Sequence, residues 1–140
     1  MKNLSRDYLR NLVYQVNGAA IEVHKSLGAG LLEKVYQKCM EHELKLRNIP
    51  FRSQLVVPIE YKGLDVDAEL KCDLLVDESL VVEFKAVEVI PPIHVAQLLT
   101  YMKLLQLPMG LMINFNVTHI FKEGHVNVKC TFQAKKAFIC

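Results

Sequence analysis

Residues 72–85 run Cys72-Asp73-Leu74-Leu75-Val76-Asp77-Glu78-Ser79-Leu80-Val81-Val82-Glu83-Phe84-Lys85 and read as a β-hairpin. Upstream, Leu64, Val66, Ala68, Leu70, Cys72, Leu74 and Val76 hold even positions, while Asp65, Asp67, Glu69, Lys71, Asp73 and Asp77 hold odd ones. That period of two marks a strand with one buried face, and it predicts a first arm from Leu64 to Val76. The second arm, Leu80 to Val87, sets Leu80, Val82, Phe84 and Ala86 on one side and Val81, Glu83, Lys85 and Val87 on the other. Glu83 and Lys85 therefore share a face.

A turn over Asp77-Glu78-Ser79 pairs Val76 with Leu80, and counting back sets Asp73 opposite Glu83 and Lys71 opposite Lys85. Directly opposed residues have Cβ atoms about 4.5–5.5 Å apart, and like charges so placed destabilise a sheet. Two readings of the carboxylate pair stand at this point. Either a divalent cation sits between them, Mg²⁺ or Mn²⁺ being suited to hard oxygen ligands, or both face solvent and bridge to lysines.

Outward from the hairpin, 140 residues suit one domain with a real core, and 51% apolar content argues against disorder. Seventeen basic against 15 acidic residues leave a net charge of +2, which neither demands nor excludes a polyanionic partner. The first residues lack the apolar run of a signal peptide, and no stretch approaches the roughly 18 apolar residues of a membrane span. The expectation is a soluble cytoplasmic protein with no membrane contact. Cys39, Cys72, Cys130 and Cys140 are scattered without a Cys-x-x-Cys pair, so reduced thiols are expected rather than zinc or an iron–sulfur cluster.

Before the hairpin, apolar residues recur at helical spacing from Tyr8 to Leu27, ended by Gly28, with His24 in the last turn. A histidine there suits the negative end of the helix dipole or a packed site. A second helix is expected from Leu31 to Arg47, with Leu32, Val35, Tyr36, Cys39, Met40 and Leu44 on its apolar face and Glu33 on the flank of that face. Taken alone, Glu33 is a first-turn carboxylate favoured by the dipole. Leu55, Val57, Ile59 and Tyr61 alternate along the next strand, where Pro58 suggests an edge or a bulge, and Lys62-Gly63 turns into the hairpin. Beyond it, Pro92 opens a helix to about Leu107 that is apolar nearly all round, predicting burial on most sides. His94, Gln97 and Tyr101 share one stripe of it, suited either to a hydrogen-bond network or to substrate contact. Met109 to Phe115 follows as a strand parallel to the Glu83 strand, by the handedness rule for such crossovers. Residues 116–140 read as a hairpin turning at Lys122-Glu123-Gly124, with Lys122, Lys129, Lys135 and Lys136 in local excess.

Helix, helix, three antiparallel strands, helix, parallel strand, with Asp73 followed by Glu83-Phe84-Lys85, resembles the PD-(D/E)xK nuclease superfamily. Gly30-Leu31-Leu32-Glu33-Lys34-Val35-Tyr36 matches the Gly-x-x-Glu-x-x-Tyr signature of a small bacterial family within it. Gln97-Leu98-Leu99-Thr100-Tyr101 is similar to the Gln-x-x-x-Tyr motif of RecB- and Cas4-type nucleases. The resemblance covers residues 8–118 and implies a mixed α/β, restriction-endonuclease-like core and a metal-dependent phosphodiesterase acting on nucleic acid, DNA first. It implies that Asp73, Glu83 and the Phe84 carbonyl bind Mg²⁺ or Mn²⁺, with Glu33 completing or seconding the shell. Lys85 would orient the attacking water and offset transition-state charge. Gln97, Tyr101, Tyr36 and His24 would contact substrate or stand behind these groups. Selectivity in so short a chain is expected from a homodimer or a protein partner. The competing reading is a nuclease fold that binds nucleic acid or protein without turnover.

Overall fold

The computed structural model describes residues 5–129, 131–133 and 137–139. Helix α1, Arg6–Leu27, starts where the Ser5 side chain accepts from the Tyr8 amide at 3.1 Å and ends at Gly28, whose φ of 72° a side chain would resist. Its buried residues, Leu9, Leu12, Val13, Val16, Ala19, Ala20 and Val23, follow the helical spacing read from the sequence. Helix α2, Glu33–Leu46, buries Tyr36, Gln37, Met40 and Leu44, while Leu32, expected on that face, precedes the helix as its N-cap and is 65% exposed.

The main sheet has the order β1-β4-β5-β6-β7. Strands β1 (Phe51–Val56), β4 (Lys71–Val76) and β5 (Leu80–Lys85) pair antiparallel. Helix α3, Pro92–Leu105, carries the chain to β6, Met109–Asn114, which lies parallel to β5 as expected. The two faces of the sheet feed two cores. Leu74, Val76, Leu80, Val82, Phe84, Leu111 and Ile113 pack toward the first two helices. Cys72, Leu75, Val81 and Met112 pack with Leu98, Tyr101 and Met102 of α3. Burial on both faces explains the nearly unbroken apolar text of β5 and β6.

Four expectations change. The strand read through Leu55, Val57, Ile59 and Tyr61 divides at Pro58 into the end of β1 and a separate strand, Ile59–Tyr61, in another sheet. The arm expected from Leu64 to Val76 is two strands: β3, Leu64–Val66, pairs with β2, Ile59–Tyr61, in a separate small hairpin, and β4 starts at Lys71. Pro58 has no amide proton to give a ladder, and the Val57 amide closes the base of this excursion on the Leu70 carbonyl at 2.8 Å. Helix α3 is buried along one stripe rather than on most sides: Leu98, Tyr101 and Met102 are covered while Ile93 is 69% exposed. The expected turn at Lys122-Glu123-Gly124 is a single helical turn, α4 (Ile120–Glu123), after which β7 (His125–Lys129) returns antiparallel to β6. A terminal hairpin does exist, but farther on, between β8 (Thr131–Gln133) and β9 (Ala137–Ile139). The side chains of Lys129, Lys135 and Lys136 lie outside the described residues.

Candidate active site

The register of the central hairpin rests on its turn. Asp77 and Glu78 adopt left-handed backbone (φ 50° and 54°), the Ser79 hydroxyl donates to the Asp77 carbonyl at 2.7 Å, and Tyr8 of α1 donates its hydroxyl to the Asp77 carboxylate. Val76 pairs with Leu80, Leu75 with Val81 and Leu74 with Val82, the register read from the sequence. The ladder stops there, one residue short of Asp73 and Glu83. In its place the Asp73 amide donates to Glu83 Oε1 at 3.0 Å, and the Phe84 amide donates to Asp73 Oδ2 at 2.8 Å. The two strands part at this point, and each carboxylate takes up a backbone donor of the facing strand.

Two glutamines reinforce the position. Gln37 Nε2 donates to the Asp73 carbonyl at 3.0 Å, and Gln54 Nε2 donates to Asp73 Oδ1 at 3.2 Å. The Asp73 main chain and side chain are thus held from α2 and β1 together. Glu83 is 5% exposed, and its carboxyl is pushed up to about 8, first by burial and then by the charge of Asp73. The Asp73 amide and Lys85 work in the opposite direction. Removing a carboxylate from water disfavours its charged form, and a like charge alongside adds to the effect. The metal-free protein relieves the repulsion by keeping a proton on Glu83.

Lys85 ends β5, half-buried, and its carbonyl accepts from the Phe115 amide at 2.9 Å. Asn114, its partner in the parallel register, donates to the Val87 carbonyl at 2.8 Å and accepts from the Val87 amide at 3.2 Å. The backbone on either side of Lys85 is therefore fixed.

Glu33 stands exposed in the first turn of α2, yet water lost around its carboxyl raises its pKa, opposed by Lys85 and assisted by Asp73. That electrostatic reach joins it to the hairpin. The turn before it is held by Tyr36, whose hydroxyl donates to the Gly28 carbonyl at 2.6 Å and accepts from the Leu31 amide at 3.2 Å. The Tyr36 ring is buried flat against Phe115, with centroids 4.4 Å apart.

Tyr101 is buried and its phenol is raised, first by burial and then by Glu83, Cys72 and Asp73, so it belongs to the same electrostatic group. Gln97 lies on the outer side of α3, lining a shallow cavity of about 480 Å³ with Ile93, His94, Ala96 and Thr100. His24 is engaged elsewhere: its Nε2–H donates to the Val117 carbonyl at 2.8 Å, tying α1 to the segment after β6. The Cys72 thiol, buried beside the carboxylates, is pushed up to about 12 by burial and then by Glu83 and Asp73, and stays protonated.

Gln37, Gln54 and Asn114 are the positioning residues that sequence reasoning passed over. Gln37 had a faint signal, since it follows Glu33 by one helical turn.

A divalent cation suits this arrangement. A carboxylate pair with Glu83 buried and Asp73 half-buried, which holds a proton to escape its own repulsion, offers hard oxygen atoms and excess negative charge. Among the described residues no three His, Cys, Asp or Glu side chains gather as a metal cage.

No curated protein and no solved structure matches the chain. A sequence model does, that of the PD-(D/E)XK nuclease superfamily, over residues 10–128, a span that contains most of α1, all of α2, the paired carboxylates and the parallel strand. With the match spanning most of its length and the fold in agreement, the chain belongs to the PD-(D/E)XK nuclease superfamily.

Proposed function

We propose that this protein is a divalent-metal-dependent nuclease that hydrolyses phosphodiester bonds in DNA, within the Gly-x-x-Glu-x-x-Tyr, RecB-like branch of its superfamily. One observation carries the reading: Asp73 and Glu83 meet where the hairpin ladder stops, with Lys85 two residues along the same strand. A sheet that only needed stability would continue its ladder and keep like charges apart.

In this reading Asp73, Glu83 and the Phe84 carbonyl hold Mg²⁺ or Mn²⁺, and Glu33 completes or seconds the shell. The ion, when bound, polarises the phosphoryl oxygen and lowers the pKa of a bound water. Lys85 holds the attacking water in line and sets a fixed positive charge against the charge that develops on the phosphoryl oxygens. Tyr101 and Gln97 contact the lysine's surroundings or the substrate strand. Tyr36 acts behind them by holding the turn that presents Glu33. His24, bonded to Val117, acts on substrate only through the segment it ties. A homodimer or a protein partner supplies selectivity.

The test is cleavage of single-stranded, duplex and branched DNA and of RNA, with Mg²⁺ or Mn²⁺ and with chelator. Cutting that requires metal and favours one DNA form supports the proposal. No cutting of any substrate, together with no metal binding by calorimetry, makes this a binding module on a nuclease fold.

A further inference from the structure

Lys85 and His94 have complementary unmet needs. The Lys85 ammonium has no hydrogen bond or ion pair among the described residues. His94, near the start of α3, has a ring nitrogen, Nδ1, shut off from solvent and without a partner among the described residues. A buried acceptor left unpaired is costly, so Nδ1 marks a place where a donor belongs. The connection between the two residues is short and tied down: Asn114 holds the amide and carbonyl of Val87, and Pro91 and Pro92 start the helix. Lys85 from β5 bears on the ring, and burial first and this charge second lower the His94 pKa below the ordinary histidine value. The imidazole is neutral at neutral pH, with one nitrogen an acceptor.

Resting on the nuclease reading above, we infer that His94 is a positioning residue whose Nδ1 accepts a hydrogen bond from the Lys85 ammonium, directly or through one water. The need for it is electrostatic. Glu83 and Glu33 both attract Lys85, and an ammonium on a flexible four-carbon stem would follow that attraction into the seat of the cation. A neutral acceptor on a separate, fixed element holds the ammonium out of that seat. The ring's proton then lies on Nε2.

Asparagine carries an acceptor close to the position of Nδ1, whereas glutamine reaches toward that of Nε2. Single-turnover cleavage of the best DNA substrate falls about ten- to a hundredfold in His94→Leu and His94→Gln, the scale of a misplaced catalytic group. It stays within about threefold of wild type in His94→Asn, with KM nearly constant in all three. His94→Leu adds no further loss to Lys85→Ala, as expected for residues acting through one contact. In the metal-free protein, ¹H–¹⁵N NMR of the imidazole shows the Nε2–H tautomer, and Lys85→Met raises the His94 titration midpoint. Circular dichroism and melting curves establish that each variant is folded. If His94→Leu cuts at the wild-type rate while Lys85→Ala is inactive, the inference falls and the nuclease reading stands. An Nδ1–H tautomer, or a midpoint that ignores Lys85→Met, also overturns it. If Lys85→Ala cuts like wild type, both fall.

Discussion

Glu83 is protonated near pH 7 in the metal-free protein, because burial and Asp73 push its carboxyl up to about 8. Its folded-state value lies above the unfolded one, so the native state holds a proton that the unfolded chain releases. This contribution is complete below the ordinary glutamate value of 4.5 and is lost as pH rises through about 8. Urea melts in chelator therefore show a midpoint that falls across this window, and Asp73→Asn flattens the slope; a flat wild-type profile would refute the account of the pair. A metal seated between these carboxylates, as proposed, would displace the same proton. Calorimetry of Mg²⁺ binding in two buffers of different ionisation enthalpy should show proton release near neutral pH. Tyr36→Phe removes a donor to Gly28 and an acceptor for Leu31. Its expected cost is about 1–3 kcal/mol in denaturant melts, with cleavage falling because Glu33 loses its support. The approach of Asp73 to Glu83 was legible because a period of two and a three-residue turn set the hairpin register as far as Leu74 and Val82, one residue short of the pair. Gln37, Gln54 and Asn114 were not, since their partners lie in backbone and side chains distant in sequence. His24 shows the same limit, with its acceptor 93 residues away.

At the scale of the elements, periodicity identified α1 and α2, because each buries a regular stripe, while Pro92 marked the start of α3 and the crossover rule gave the parallel β5–β6 pair. Periodicity failed where regularity persists through a change of partner. Alternation runs unbroken from Leu64 to Leu74, yet the pairing moves from β2 to β1 on the way. Apolar composition likewise overstated the burial of α3, whose outer side keeps Ile93 exposed. The fit of α3 to the sheet is close at Gly110 of β6. A Cβ there would meet Met102 Sδ at 2.7 Å and Leu98 Cδ1 at 2.9 Å. Gly110→Ala is expected to destabilise by about 1–3 kcal/mol, the range for overpacking. It should also lower activity by displacing the helix that carries Tyr101 and Gln97. Unchanged melting and cleavage would mean that Met102 and Leu98 swing aside freely.

For the whole molecule, a net charge of +2 offers little general attraction for a polyanion, so the proposed recognition of nucleic acid would rest on local contacts. Among the described residues no helix is long and apolar enough to cross a membrane. An ion that binds only the folded state raises its stability by mass action. Mg²⁺ in excess should therefore raise the melting temperature of wild type and leave Asp73→Asn unmoved. The most direct test of the account compares Mg²⁺-dependent DNA cleavage by wild type, Asp73→Asn and Lys85→Ala under single-turnover conditions. The account predicts metal-dependent cutting by wild type and a loss of about a hundredfold or more in each variant, the scale seen when a placed charge-stabilising group is removed. Cutting that persists in Asp73→Asn, or that ignores chelator, would contradict it.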